Sequence, residues 1–145
     1  MKVERVSLDD IMALRVRVLR QGTPATTANY TEDSYSDVVH LGIRVNGDVV
    51  ATSSWFSKEC PEHPHLPALQ LKGMAVDTTL QTSGYGRVLV EAGLTLAKER
   101  EAQVVWARAR DSALGFYGKC GFAAAGDGFI DEPTGMPHHI VMRFI

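Results

Sequence analysis

A short polar turn, Gln81–Gly86 (QTSGYG), separates a stretch typical of a β-strand from a segment with helical periodicity. Main-chain N–H groups at the beginning of a helix lack partners and carry partial positive charge, so a phosphate is stabilised there without a lysine. Gly84 and Gly86 remove side chains that would keep a phosphate away, and they permit the positive φ angles of an anion nest. The turn therefore indicates either a phosphate site or a plain strand-to-helix connection.

Two common phosphate loops do not match this turn. A Walker A loop ends in Gly-Lys-Ser/Thr, whereas Gly86 is followed here by Arg87 and Val88. A dinucleotide fingerprint needs a third glycine three residues after the second, and this chain has Leu89 at that place. Both loops are therefore excluded by the residues themselves.

The turn resembles Gln/Arg-x-x-Gly-x-Gly/Ala, the pyrophosphate-binding turn of the Gcn5-related N-acetyltransferase (GNAT) superfamily. Directly before it, Met74–Asp77 (MAVD) is similar to the strand end of that family. About thirty residues later, Ala113–Phe122 (ALGFYGKCGF) resembles the second family signature, Ala-x-x-x-Tyr-x-x-x-Gly-Phe. Segments near both ends, Leu14–Arg20 and Met136–Met142, also resemble small members of the family, so the similarity covers nearly the whole chain.

The resemblance implies an enzyme that moves an acetyl group from acetyl-CoA, its acyl-donor substrate, to a primary amine by direct attack in a ternary complex. It implies an α/β fold with a mixed, twisted central sheet, splayed parallel strands and helices on both faces. A single domain is expected over residues 1–145. The acceptor is expected to be a small molecule or a peptide amine.

The same resemblance implies which residues hold the donor. The pyrophosphate is expected on the main chain of the turn, with Arg87 adding charge, and the pantetheine arm on the strand before it. Arg110 occupies the place of a family asparagine that contacts this arm, and it is expected to reach the cofactor or to pair with Asp111 or Asp131. The expected cofactor-binding residues are Met74, Ala75, Val76, Gln81, Thr82, Ser83, Gly84, Tyr85, Gly86, Arg87 and Arg110.

Tyr117 is the expected catalytic residue because the departing thiolate must receive a proton. A phenol with a pKa near ~10 and a thiol near ~8.5 are roughly matched for that transfer. On a helix, Tyr117 lies on the same face as Ala113, whose small side chain leaves room for the cofactor arm. The alternative is that Tyr117 only packs against Phe116 and Phe122.

The base that takes a proton from the amine is not identified by the sequence. Many family members carry a carboxylate on the strand before the phosphate turn, and this chain has Gln70 and Lys72 there. Substitutes acting through water are available, but Glu32 is expected on the solvated surface and His138 in a strand-end hydrogen bond. The full set of substitutes is Glu32, Glu59, His63, His65 and His138.

Other residues that are able to do chemistry are assigned structural roles. The segment Cys60–His65 (CPEHPH) offers half of a zinc site without a second pair of ligands, so no metal is expected. Cys120 and Trp106 are expected in the core, and Trp55 either beside the acceptor or packed.

Hydrophobic periodicity places these residues on regular elements. Ser7 and Asp10 form a capping box before a helix in which Arg15 and Arg17 are expected away from the apolar face. Asn46-Gly47 predicts a two-residue hairpin turn between two strands. The other expected elements are strands at Ala68–Val76, Val104–Ala107 and Ile140–Ile145, helices at Gly84–Glu101 and Ser112–Lys119, and a short helix or loop within Thr26–Ser36.

Composition excludes several classes of function. The chain has 145 residues, 45% of them hydrophobic and 22% charged, which is ordinary for one globular domain. A formal net charge of −2 gives no broad attraction to nucleic acid or membrane. No apolar run approaches the ~20 residues of a membrane helix, and two cysteines do not make a disulfide framework, so the cytoplasm is the expected compartment.

Two other functions compete with acetyl transfer. A non-catalytic acyl-CoA-binding or sensor module of the same fold is favoured by the missing strand carboxylate and disfavoured by Tyr117. A doubly wound nucleotide enzyme would instead bind dinucleotides. The identity of the acceptor and the acyl-chain preference have no signature, and a homodimer is compatible with an exposed C-terminal strand.

Overall fold

The computed structural model describes residues 1–145. Short 3₁₀ turns at Thr31–Ser34 and Asp111–Ala113 accompany the regular elements. The elements in chain order are β1 Glu4–Val6, α1 Leu8–Leu19, β2 Val39–Val45, β3 Asp48–Ser57, β4 Ala68–Val76, α2 Tyr85–Glu99, β5 Val104–Arg110, α3 Leu114–Lys119, β6 Ala123–Ile130 and β7 Pro137–Phe144.

The first helix begins at the predicted capping box. The Asp10 N–H donates to Ser7 Oγ at 3.1 Å, and the Ser7 N–H donates to Asp10 Oδ2 at 3.4 Å. These bonds satisfy two main-chain donors that a helix start leaves open. Ile11 and Leu14 are buried on the inner face of α1, as predicted, but Arg15 is also buried.

The predicted hairpin is confirmed. Asn46 and Gly47 have φ angles of 52° and 88°, the left-handed pair that a two-residue turn of this twist requires. The turn sets the antiparallel register of β2 with β3, in which Val39 faces Trp55 and Val45 faces Asp48. A bulge between Ile43 and Arg44 shifts the register by one residue near the turn.

The seven strands form one mixed sheet in the order β1-β2-β3-β4-β5-β7-β6. β4 and β5 are parallel, with register pairs from Ala68–Val104 to Gln70–Trp106, whereas β5 and β7 are antiparallel. The predicted mixed sheet is therefore confirmed. The strands β1 and β6 were not predicted, since β1 is three residues long and β6 contains Gly126-Asp127-Gly128, residues that are depleted in strands.

The chain divides into two compact units. The first comprises Met1–Phe56 and Leu71–Thr95, and the second comprises Ser57–Gln70 and Leu96–Ile145. A core cluster of the first unit contains Ile11, Leu14, Val49 and Ala75. A core cluster of the second unit contains Cys60, Ala68, Val104, Trp106 and Ile140.

Both tryptophans are packed. Trp55 is fully buried and its Nε1–H donates to Ser53 Oγ at 2.8 Å, while the Trp106 Nε1–H donates to the Lys58 carbonyl at 2.9 Å. Cys60 Sγ donates to Met142 Sδ at 3.6 Å and is closed off from solvent. None of the helices combines the length and apolar character needed to cross a bilayer.

Candidate active site

The Gln81–Gly86 turn is a folded loop that ends where α2 begins. The Leu80 N–H bonds to the Asp77 carbonyl at 2.8 Å, and the Ser83 N–H bonds to the Leu80 carbonyl at 3.3 Å. The Gln81 side chain donates its Nε2–H to the Val76 carbonyl at 3.1 Å, which ties the turn to the end of β4. The glutamine of the motif therefore shapes the loop.

The N-terminus of α2 presents unpaired donors. The main-chain N–H groups of residues 84–87 have no acceptor within the protein, and the first intrahelical bond runs from the Val88 N–H to the Gly84 carbonyl at 3.1 Å. Thr82 and Gly84 have φ angles of 68° and 90°, as an anion nest requires. A side chain at Gly84 would meet open space, so the N–H row is approachable.

The charges around this turn also favour an anion. No acidic residue lies in the first turn of α2, and the Arg87 side chain is exposed. The helix has fifteen residues, long enough to carry the positive end of its dipole at this point. The nearest acid along the chain, Asp77, is bound by Thr79 and by Arg17.

The end of β4 holds the other residues predicted to contact the donor. Ala75 is buried, while Met74 and Val76 are half-buried. Gly73, just before them, has a φ of 67°, and a Cβ there would lie 3.1 Å from the Tyr30 ring and 3.2 Å from Arg15 Nε. Gly73 is therefore required both by its backbone conformation and by the close approach of two side chains.

Tyr117 lies on α3 in the second unit with its ring buried. The ring packs edge-on against Phe116 and Phe122, with centroid distances of 5.1 and 5.5 Å. Its hydroxyl has no hydrogen-bond partner in the protein, yet it is not among the fully buried unpartnered atoms, so the oxygen reaches accessible space. Burial, and to a smaller extent Cys120, raises the pKa of Tyr117 well above its ordinary value, so the phenol stays protonated.

Arg110 does not form either predicted ion pair. Asp131 accepts from Arg108 Nη2 at 2.8 Å, and Asp111 lies 2.7 Å from His139 Nδ1. The antiparallel register places Arg110 opposite His138 and Arg108 opposite Ile140, so Arg108 and Arg110 lie on the same face of β5 two residues apart. Arg110 is half-buried at the end of β5.

A buried polar network in the first unit was missed by the sequence analysis. The Arg15 side chain is fully buried and donates to both carboxylate oxygens of Asp33, at 2.8 and 2.9 Å. It also donates to Ser54 Oγ at 2.8 Å and to the Ala28 carbonyl at 3.1 Å. The expectation that Arg15 points away from the core was wrong, although its spacing of four residues from Ile11 places it on the buried face.

His40 completes this network as a neutral ring. Burial and then the positive charge of Arg15 lower the pKa of His40. Ser54 Oγ accepts from Arg15 Nη2 and lies 2.6 Å from His40 Nδ1, so it links the two side chains. These hydrogen bonds hold the buried Arg15 side chain in place.

The expectation that Glu32 is solvated was also wrong. Glu32 is 7% exposed and accepts from Lys72 Nζ at 3.1 Å, and this ammonium lies 4.5 Å from the centroid of the Tyr30 ring. Lys72 is thereby engaged as an ion-pair partner. Gln70 is 2% exposed, and its Oε1 is buried without a partner.

The remaining histidines and Glu59 differ in environment. Glu59 and His65 are exposed, and the His63 ring packs against Phe144 at a centroid distance of 5.1 Å. His138 is 6% exposed, with Nδ1 2.9 Å from the Met136 carbonyl oxygen, which agrees with the predicted strand-end hydrogen bond.

Comparison with known proteins identifies the class. A model of the acetyltransferase (GNAT) family matches residues 8–122. The chain is 30% identical over 142 residues to YitI of Bacillus subtilis (strain 168), named an uncharacterized N-acetyltransferase, and the match covers 98% of this chain and 94% of YitI.

Solved structures share the fold. ElaA of Escherichia coli superposes with a TM-score of 0.78 at 17% identity, covering 99% of both chains. An acyl-CoA N-acyltransferase from Pseudomonas aeruginosa superposes with a TM-score of 0.76 at 19% identity, covering 98% of both chains.

The mixed seven-stranded sheet with three α-helices is thus the fold of the acyl-CoA N-acyltransferases. The chain belongs to the acetyltransferase (GNAT) family. The family predicted from the two motifs is confirmed, and with it an acyl-CoA-dependent N-acyltransferase.

Proposed function

We propose that this protein transfers an acetyl group from acetyl-CoA to a primary amine by direct attack in a ternary complex. The observation that carries the proposal is the row of unpaired N–H groups at residues 84–87, at the start of a helix and within a family motif. Two free, buried cysteines are compatible with a cytoplasmic enzyme. The acceptor is a small-molecule or peptide amine.

In this proposal the pyrophosphate of the donor is held at the turn. The N–H groups and the helix dipole stabilise its charge, and Arg87 adds a mobile cation. The main chain of Met74–Val76 pairs with the amides of the pantetheine arm as an added strand would. The Gln81 side chain contributes by fixing the shape of the loop, and Arg110 is assigned to the cofactor because Asp131 and Asp111 have other partners.

A charge reversal tests this assignment. Arg87→Glu places a carboxylate beside the phosphate and is expected to weaken coenzyme A binding by about tenfold or more, roughly the effect of 1.4 kcal/mol. Lys98→Glu is the matched control, because Lys98 is exposed on the last turn of the same helix. Titration calorimetry with coenzyme A measures both variants. If Arg87→Glu and Lys98→Glu bind coenzyme A with equal affinity, the turn is not part of the coenzyme A site.

Tyr117 is proposed to give its proton to the departing thiolate. Its protonated phenol and accessible oxygen suit a donor and not a base. The buried ring fixes the direction of the hydroxyl through contacts with Phe116 and Phe122. The raised pKa also makes this phenol a weaker acid than an ordinary tyrosine, so the transfer depends on close positioning of the thiolate against the hydroxyl.

Tyr117→Phe removes only the hydroxyl. Turnover is expected to fall by roughly 10²–10⁴-fold, the usual contribution of a positioned proton donor, while coenzyme A affinity stays constant. Thiol release from acetyl-CoA with a panel of amines measures turnover. Unchanged turnover would remove the assigned role. If the unaltered protein binds coenzyme A but releases no thiol with any amine, the result would instead support the non-catalytic sensor module. The feature that favours this alternative is Gln70, an amide where many family members have a carboxylate.

A further inference from the structure

The acceptor amine needs a base that β4 does not supply. An amine is protonated at neutral pH and must lose one proton before its lone pair attacks. Gln70 carries an amide, whose buried oxygen has no partner, and Lys72 is bound to Glu32. The proton must therefore go to a group elsewhere.

His138 on β7 is held in one tautomer. Its Nδ1 lies 2.9 Å from the Met136 carbonyl oxygen, and a carbonyl only accepts, so Nδ1 must carry a hydrogen. In the neutral ring the lone pair is then on Nε2. That nitrogen has no partner in the protein and is not among the fully buried unpartnered atoms, although the residue is only 6% exposed. Nε2 is thus an accessible acceptor on a buried ring.

The neighbours of His138 fix the position of its ring. The ring lies against Phe129 with a centroid distance of 5.9 Å, and Phe129 in turn lies 4.7 Å from Arg108. Asp131 is bound by Arg108 and Thr134, remains ionised, and attracts a protonated His138. Arg108 and Arg110 on β5 oppose that charge.

We propose that His138 is the general base of the acetyl transfer. This role rests on the function proposed above. Nε2 removes one proton from the acceptor ammonium, directly or through one water, and the freed lone pair forms a C–N bond to the thioester carbon. The C–S bond breaks with its electron pair on sulfur, which takes a proton from Tyr117. The second proton lost by the nitrogen restores Tyr117, and His138 releases its proton to solvent.

The test compares adjacent histidines. His138→Asn keeps a donor for the Met136 carbonyl and removes the base, while His139→Asn is the control, because His139 points to the other face and lies by Asp111. His138→Asn is expected to lower kcat by roughly 10²–10⁴-fold and to abolish the acidic limb of the kcat/KM–pH profile. Coenzyme A affinity should not change, and His139→Asn should keep the acidic limb.

A second readout separates a base from a structural residue. An acceptor whose amine is already neutral at the assay pH should lose much less activity in His138→Asn than a basic amine does. Equal losses with both amines, or a retained acidic limb, would overturn the role of His138 while leaving the transferase intact. If the unaltered protein releases no thiol with any amine, the transferase and the role of His138 fall together.

Discussion

Replacing Gly93, in the interior of α2, by alanine is predicted to destabilise the protein, the opposite of the usual effect of this change in a helix. Replacing a glycine inside a helix by alanine normally stabilises a protein by about 0.5–1 kcal/mol. At Gly93, however, an added Cβ would overlap the six-membered ring of Trp55 more closely than real Cβ atoms ever approach. The helix and the strand β3 are packed in direct contact at this point, so one of them must move.

Trp55 has little freedom to move away. Its side chain is fully buried, and its Nε1–H is bonded to Ser53 Oγ. Overpacking a well-filled core costs about 1–3 kcal/mol, and loss of a buried hydrogen bond adds about 1 kcal/mol. Subtracting the helix gain leaves a net destabilisation of about 2 kcal/mol for Gly93→Ala. At about 2–4 °C per kcal/mol, the melting temperature should fall by roughly 4–8 °C.

Thermal and urea unfolding followed by circular dichroism measure this effect. Gly115→Ala in α3 is the matched control, because a Cβ there meets nothing within 4 Å. The melting temperature of Gly115→Ala should be equal to that of the unaltered protein or slightly higher. A double-mutant cycle with Trp55→Phe should recover much of the loss, since the smaller ring leaves room for the methyl group. A higher melting temperature for Gly93→Ala would refute the packing argument.

Two further predictions concern the buried Arg15–Asp33 pair. Arg15→Met should reduce the free energy of unfolding in urea by about 3–5 kcal/mol, because it leaves the buried carboxylate of Asp33 unpaired. Arg17→Met is the control: Arg17 is on the exposed side of the same helix, so the free energy of unfolding should change little. Equal losses in the two variants would contradict the burial argument. Burial opposes ionisation of Asp33, but hydrogen bonds from Arg15 and the Tyr30 N–H outweigh it and lower its pKa below the ordinary 3.8. This stabilisation is present above about pH 4 and is lost as pH falls through the lowered pKa. Urea unfolding from pH 7 to 2 should therefore show a shallower acid decline for Asp33→Asn, and an unchanged slope would exclude Asp33 as a contributor.

Local patterns predicted the elements that position the candidate site. The capping box at Ser7 and the Asn46-Gly47 turn depend on residues within three positions of each other, so the sequence alone specifies them. The turn before α2 is local in the same way, because its donors are unpaired wherever a helix starts without a cap. Strand β6 was missed because its Gly-Asp-Gly bulge has no strand propensity and forms only against β7.

By itself, then, the sequence determined the family, the order of most elements and the loop that is suited to a phosphate. Only the tertiary structure decided which charges are buried and how each is balanced: Arg15 meets Asp33 from 18 residues away, and Lys72 meets Glu32 from 40. It also decided that His138 carries its hydrogen on Nδ1 and that Trp55 covers Gly93. The physical reason is range: caps and turns are satisfied by neighbours along the chain, whereas a buried charge or a packed ring is satisfied by whichever partner the fold brings to it.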